Sequence, residues 1–283
     1  MSTVSAPVRP RSEAGLRPAR SAALTAFWAL LLRDLRVLQK TAAIFTVRTI
    51  MQPFLLVFVF TYVFPKIGQG VGGTPSSEAQ FSTLLMAGVV ATSMIFQGVQ
   101  AVALPLVQEF GFTREIEDRV MAPLPVWGVA AEKIAAGAVQ ALIAGLVVFP
   151  LAAIIPATPV HLHVHWLYLL TMAPIAAVLS ASLGLTMGTR VKPPQVPLLF
   201  AIVVLPITFL GAVYYPWASL APIKWLQVIV LVNPLVYMCE GFRLALTTGI
   251  THMPIWAIYT GMTAFTVALA WVGIDGFTRR VLS

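Results

Sequence analysis

Five uncharged runs dominate this chain, at residues 49–65, 79–108, 134–189, 193–223 and 244–274. The hydrocarbon core of a bilayer takes about 20 consecutive apolar residues per helix, and within it every backbone polar group must be bonded internally. Runs of this length therefore specify membrane-spanning helices. The third run is too long for one helix, and "IPATPVHLHVH" at 155–165 divides it with two prolines and three histidines. That gives spans near 134–156 and 166–189, and six spans in all. The expected fold is an all-α polytopic membrane protein. Composition agrees: 10% of residues are charged, against about a quarter in soluble domains, which leaves little for a folded soluble domain.

The net charge of +8 does not point to nucleic acid, because its distribution follows the spans. With both termini cytoplasmic, fifteen basic residues fall inside and only Lys66, Lys224 and Arg243 fall outside. This is the asymmetry that orients membrane helices. Arg48 lies at the inner edge of the first span, where it can snorkel. Residues 1–20, with four arginines and three prolines, are expected to be a disordered basic tail. The apolar stretch that follows is interrupted by Arg33 and Asp34 and lacks a small-residue cleavage site, unlike a secretory signal peptide. Over 21–41, Leu24, Phe27, Trp28, Leu31, Leu35 and Leu38 recur at helical spacing while Arg33, Arg36 and Lys40 share another face. This pattern predicts an amphipathic helix along the cytoplasmic membrane surface, leading into a six-span domain over 42–283.

The run 225–239 is too short to cross comfortably, and Asn233–Pro234 breaks it. Residues 219–243 are therefore expected to form an extracytoplasmic re-entrant hairpin before the last span. Cys239 is the one cysteine, so it forms no internal disulfide and is read as a packing residue.

Eight of the 28 charges fall within 109–133, the cytoplasmic connection between spans two and three. Arg114 with Glu117 and Asp118, and Glu115 with Arg119, stand three or four residues apart, favouring a short paired helix between Gly111 and Pro123. Phe110, Phe112, Ile116, Val120 and Met121 make it too apolar for a loop that meets only water. Mixed charge around apolar anchors suits a protein partner.

The order of a glutamate and glycine, a short charged helix, a "MAPLP" turn and "AEKIAAG" at the start of the next span resembles the integral-membrane permeases of the ABC type-2 exporter family. "VNPLVYMCEGFRLAL" at 232–246 resembles the family's second landmark near the outer face. The chain's opening is similar to the drug-resistance and nodulation-factor branch, which implies efflux of drugs, lipids or glycolipids. The resemblance implies a prokaryotic inner-membrane subunit, two copies forming the pathway, and separate ATPase subunits docked on a coupling helix over 109–123. Phe112, Arg114, Glu115, Glu117, Arg119 and Met121 are then the expected contact set, with "RVKPP" at 190–194 a second contact. Asn233, Glu240 and Arg243 become candidates for an extracytoplasmic gate, Glu240 and Arg243 forming either a gate-stabilising pair or a plain interfacial salt bridge.

No nucleotide-binding G-x-x-x-x-G-K-[ST] occurs, and "GQGVGGTPSS" lacks the lysine. The expectation is a permease that is not itself an enzyme and binds no cofactor, with ATP and Mg on its partner. Gln52, Ser93, Gln97 and Gln100 are polar positions inside spans, as pathway residues or as interhelical hydrogen-bond glue. His161, His163 and His165 share one face if extended, but no H-E-x-x-H or nearby carboxylate accompanies them, so a metalloenzyme ranks below a polar outer loop. A channel or secondary transporter is the remaining alternative. Ion coupling commonly uses ionisable residues at mid-span, and none is evident here.

Overall fold

The computed structural model describes residues 19–69, 74–113, 115–121, 123–157, 160–191, 195 and 204–282. Residues 1–18 of the expected 1–20 tail, Arg114, the 192–194 part of "RVKPP" and most of the 193–203 stretch lie outside these residues.

All described elements are helical. α1 (Ala19–Lys40) is followed after Thr41 by α2 (Ala42–Val57), which runs on through a π-helical turn, Phe58–Val63, to Lys66. α3 (Pro75–Gln108) passes through a second π-helical turn, Glu109–Thr113, into the short α4 (Glu115–Val120). α5 (Val126–Ile154) and α6 (Trp166–Arg190) are long, and α7 (Leu205–Phe209) and α8 (Lys224–Ile229) are short. α9 (Pro234–Leu246) and α10 (Ile255–Leu282) complete the chain.

Five helices are long and apolar enough to cross a membrane, at Ala42–Lys66, Ser76–Gly111, Val126–Ile154, Trp166–Arg190 and Ile255–Leu282. The pair Lys224–Val232 and Pro234–Leu246, bent by 97°, makes a sixth if counted as one broken span. The proline and histidine break at 155–165 falls where expected, between α5 and α6. Two boundaries differ. The last long helix begins at Ile255, not 244, because residues 244–246 complete α9. α5 begins at Val126, not 134, because Glu132 and Lys133 are buried inside it beside opposite charges. The described part of the expected fifth span, 204–223, is a short helix, a turn and a 3₁₀ turn rather than a continuous helix.

α3 is the hub. Its most apolar stretch is 72% buried, against 17% for α2 and α10, so α3 is central and those two are peripheral. It packs on α6, α5, α9 and α2. Small residues permit the α3–α6 approach, as expected where lipid offers no hydrophobic drive between helices. A Cβ on Gly184 would lie 2.9 Å from the Val99 Cα and carbonyl oxygen, and one on Gly188 3.0 Å from the Ala103 Cα. Gly184→Ala is expected to push the helices apart, losing about 1–3 kcal/mol, read as a lower unfolding midpoint in detergent.

Candidate functional site

Four charges of this segment, Glu109, Arg119, Glu132 and Lys133, are buried in an ion cluster. α4 presents Ile116 and Arg119 inward, 6% and 5% exposed. The Arg119 guanidinium forks onto Asp34 of α1, with Nη2–Oδ1 3.0 Å and Nη1–Oδ2 3.3 Å. It also lies 3.3 Å from Glu109 Oε1 and 3.7 Å from Glu132 Oε2. Lys133 Nζ donates to Glu109 Oε1 at 2.7 Å and to Asp34 Oδ2 at 3.3 Å. Five charged side chains thus join α1, the end of α3, α4 and the start of α5. Bidentate and charge-assisted bonds are the strong members of their class.

Burial alone would raise the Asp34 carboxyl, but the charge of Lys133 and the hydrogen bonds and charge of Arg119 outweigh it and hold it below the ordinary 3.8. Burial likewise opposes the charge on Arg119, and Asp34, Glu109 and Glu132 reverse that effect and raise it. The lowered Asp34 value means that its stabilisation is complete above about pH 4 and is lost as pH falls through the folded value. The unfolding midpoint of native protein should therefore drop in acid below about pH 4, and Asp34→Asn should remove part of that acid limb.

The π-helical turn before α4 is anchored from the other side. Phe110 meets Phe277 edge-on at 5.7 Å, and the Arg280 guanidinium lies 4.5 Å from the Phe110 ring centre. Arg280 also donates to the Gly188, Thr189 and Val191 carbonyls, a cation on the unpaired C-terminal end of α6.

A second cluster lies in the bent pair. Arg243 and Glu240 pair at 2.6 Å, and both are 0% exposed. Glu240 accepts from the backbone of Trp217 at 2.8 Å and of Met253 at 2.7 Å. Arg243 donates to the carbonyls of Ala212 and Val213. Ala212 holds φ +54°, a left-handed conformation that only glycine adopts freely. Asn233 caps α9, accepting from Leu235 N at 2.9 Å while its amide donates to Ile207 O at 2.7 Å. Glu240 and Arg243 are paired, as their spacing suggested, while Asn233 bonds elsewhere, to Ile207 and Leu235. The pair is a buried staple that fastens residues 212–217 and the loop before α10 onto α9.

The profile of the ABC-2 type transporter family matches residues 25–247. This chain belongs to that family. It is 29% identical over 227 residues to proteins called "Inner membrane transport permease YadH", covering 78% of this chain and 84% of each relative. These come from Escherichia coli strain K12, Escherichia coli O157:H7 and Shigella flexneri. The chain is thus an ABC-2 permease, a transmembrane transport subunit.

Within this ABC-2 permease the expected contact set divides. Met121 is 77% exposed. Arg119 is interior, and it pairs with Asp34, Glu109 and Glu132. Arg114, and the side chains of Phe112, Glu115 and Glu117, lie outside the described residues. The pathway candidates divide too. Thr49 Oγ1 donates to Gln97 Oε1 at 3.2 Å and Gln97 Nε2 to Gln140 Oε1 at 3.3 Å, tying α2, α3 and α5 together. Ser93 is buried within the bundle. Gln52 and Gln100 instead line an open groove of about 1000 Å³ along α2.

The segment "VHLHVH" is extended, with His163 N and His165 N donating to the Leu246 and Ala245 carbonyls. Its histidines form no metal-holding group among the described residues. Cys239 is fully buried.

Asp34 is the member of the ion cluster that sequence reasoning missed. Its signal was present: it is three residues from Leu31 and four from Leu38, on the inward side of α1, where a carboxylate needs a partner.

Proposed function

We propose that this ABC-2 permease is the membrane-spanning subunit of an ATP-driven exporter in a prokaryotic inner membrane, with both termini cytoplasmic. Two copies form the pathway, and two ATPase subunits that carry ATP and Mg dock beneath. The observation that carries this reading is the ion cluster: α4 is too short to hold its own position, yet Arg119 locks it to α1, α3 and α5. A push on α4 is therefore delivered to the bundle as a rigid-body displacement rather than absorbed locally. Phe112, Arg114, Glu115, Glu117 and Met121 form the docking face, and Arg119 sets its orientation. The ATPase drives transport by binding the inward-open and outward-open states with different affinities.

α1 lies in the cytoplasmic interface, with exposed Leu24 and Trp28 toward lipid and Arg33, Arg36 and Lys40 toward water and headgroups. Residues 219–243 form a re-entrant hairpin on the far side, held shut by the Glu240–Arg243 staple, and the α2 groove with Gln52 and Gln100 contributes half of the pathway. The inner-membrane assignment is supported by the relatives, which are called inner membrane transport permeases.

Met121→Cys tests the docking face, since Cys239 is 0% exposed. A membrane-impermeant maleimide should label residue 121 in inverted vesicles and not in intact cells, and a bound ATPase should slow that labelling at least about tenfold, as expected for a site buried in an interface. Labelling from outside, or labelling indifferent to the ATPase, would contradict the assignment.

A further inference from the structure

The π-helical turn Glu109–Thr113 sends two neighbouring side chains to different helices. Glu109 meets Arg119 of α4 and Lys133 of α5. Phe110 meets Phe277 and Arg280 of α10. The turn that carries α4 is therefore fastened twice, and the ion cluster is one of two attachments.

Arg280 does more than steady this ring. Its Nη1 donates to the carbonyls of Gly188 at 3.1 Å, Thr189 at 3.2 Å and Val191 at 3.1 Å, at the end of α6. The last carbonyls of a helix have no partner within it, and any cation would serve that need alone. A guanidinium is planar, with donors in its plane and faces free to stack, so this one side chain bonds α6 and covers the Phe110 ring together. Its position is fixed from α10. Phe277, nearly one turn before Arg280, is 0% exposed, and Thr186 of α6 donates to the Leu269 carbonyl of α10 at 2.9 Å. Arg280 is thus the point where the turn before α4, the end of α6 and the last span meet. Val191 also lies in the 190–194 stretch, the expected second ATPase contact, so both expected contact segments begin beside this guanidinium.

We propose that Arg280 is a positioning residue for coupling: it joins the turn before α4 to α6 and α10, so that a displacement of α4 reaches the last span as well as α1 and α5. The link between helices lies within one chain, and its part in coupling rests on the docking reading above.

The test is hydrogen–deuterium exchange read by mass spectrometry, first on the purified chain in detergent without any ATPase. Arg280→Ala should speed exchange over 109–120 about tenfold, the scale of a desolvated cation–π contact. Residues 84–95 of α3 should exchange as in the native chain, which separates a local release from a general loss of stability. Arg280→Lys keeps the cation and loses the planar fork, and should return exchange to within about threefold of native. Arg279→Gln should be silent, because Arg279 is 81% exposed and pairs along its own helix with Asp275.

The second arm adds a co-purified ABC ATPase with ATP, Mg and orthovanadate. In the native complex, trapping should change exchange over 276–282 at least about fivefold, the low end of coupling between distant sites. In Arg280→Ala the change should stay at 109–120 and not reach 276–282. Native exchange at 109–120 in Arg280→Ala, an equal rise at 84–95, no recovery with lysine, or a nucleotide effect that still reaches 276–282 would overturn the proposal. If no ATPase binds the native chain, the docking reading fails and the coupling role with it, while the first arm still decides the link between helices.

Discussion

An Arg119→Met variant is expected to lose about 3–5 kcal/mol of stability, the penalty of breaking a buried ion pair from one side. Removing this guanidinium leaves Asp34, Glu109 and Glu132 with Lys133 alone. The three carboxylates converge within a site where Glu132 is 0% exposed and Glu109 6%, so their repulsion is weakly screened. Thermal unfolding in detergent reads the loss. A double-mutant cycle with Asp34→Asn should return a coupling energy of about 1–3 kcal/mol, because the two side chains share one bidentate contact. In assembled transporter the same variant should lower transport more than ATPase binding, since Met121 and the rest of the docking face remain while the link to α1 and α5 is gone. A variant as stable as native protein, with normal transport, would remove the cluster from the account.

Glu240→Gln should be comparably severe, about 3–5 kcal/mol, for a related reason. Both oxygens of Glu240 accept backbone hydrogens, from Trp217 and Met253, and Oε1 also meets Arg243 at 2.6 Å. An amide supplies one acceptor where two are used, and it leaves Arg243 buried without a counter-charge. The double variant Glu240→Gln, Arg243→Met should recover part of the loss, since removing both charges is less harmful than stranding one. If the single variant unfolds at the native midpoint, the staple is not what holds residues 212–217 onto α9.

Much of this architecture was legible because lipid imposes a simple rule: uncharged length means a helix. α2, α3 and α6 follow from it, and the break at 155–165 was visible in its prolines. The rule failed where charge was buried in pairs. Glu132 and Lys133 marked the end of a run in the sequence yet sit inside α5, because Arg119 and Glu109 compensate them, and those partners are distant in the chain. The same reason hid Asp34, whose partners lie 85 and 99 residues away. Local spacing suggested that Glu115 would pair with Arg119. The Glu115 side chain lies outside the described residues; among those described, Arg119 meets carboxylates of three other elements, and bidentate buried contacts are stronger than the about 0.2–0.5 kcal/mol of helical neighbours. The Glu240–Arg243 pairing was legible from a spacing of three, but its full burial depends on residues 207–217 folding over it, which no local pattern encodes.

The central claim, that α4 docks an ATPase and transmits its motion through the cluster, is tested most directly by the mass of the assembled complex. The chain would be co-expressed with candidate ABC ATPases, transferred to lipid nanodiscs and weighed, comparing native protein with Met121→Asp. The account predicts a complex of two permeases and two ATPase subunits for native protein, and its loss in a Met121→Asp chain that keeps its fold and unfolding midpoint. A Met121→Asp complex of unchanged mass and affinity, or a native chain that binds no ATPase, would contradict it.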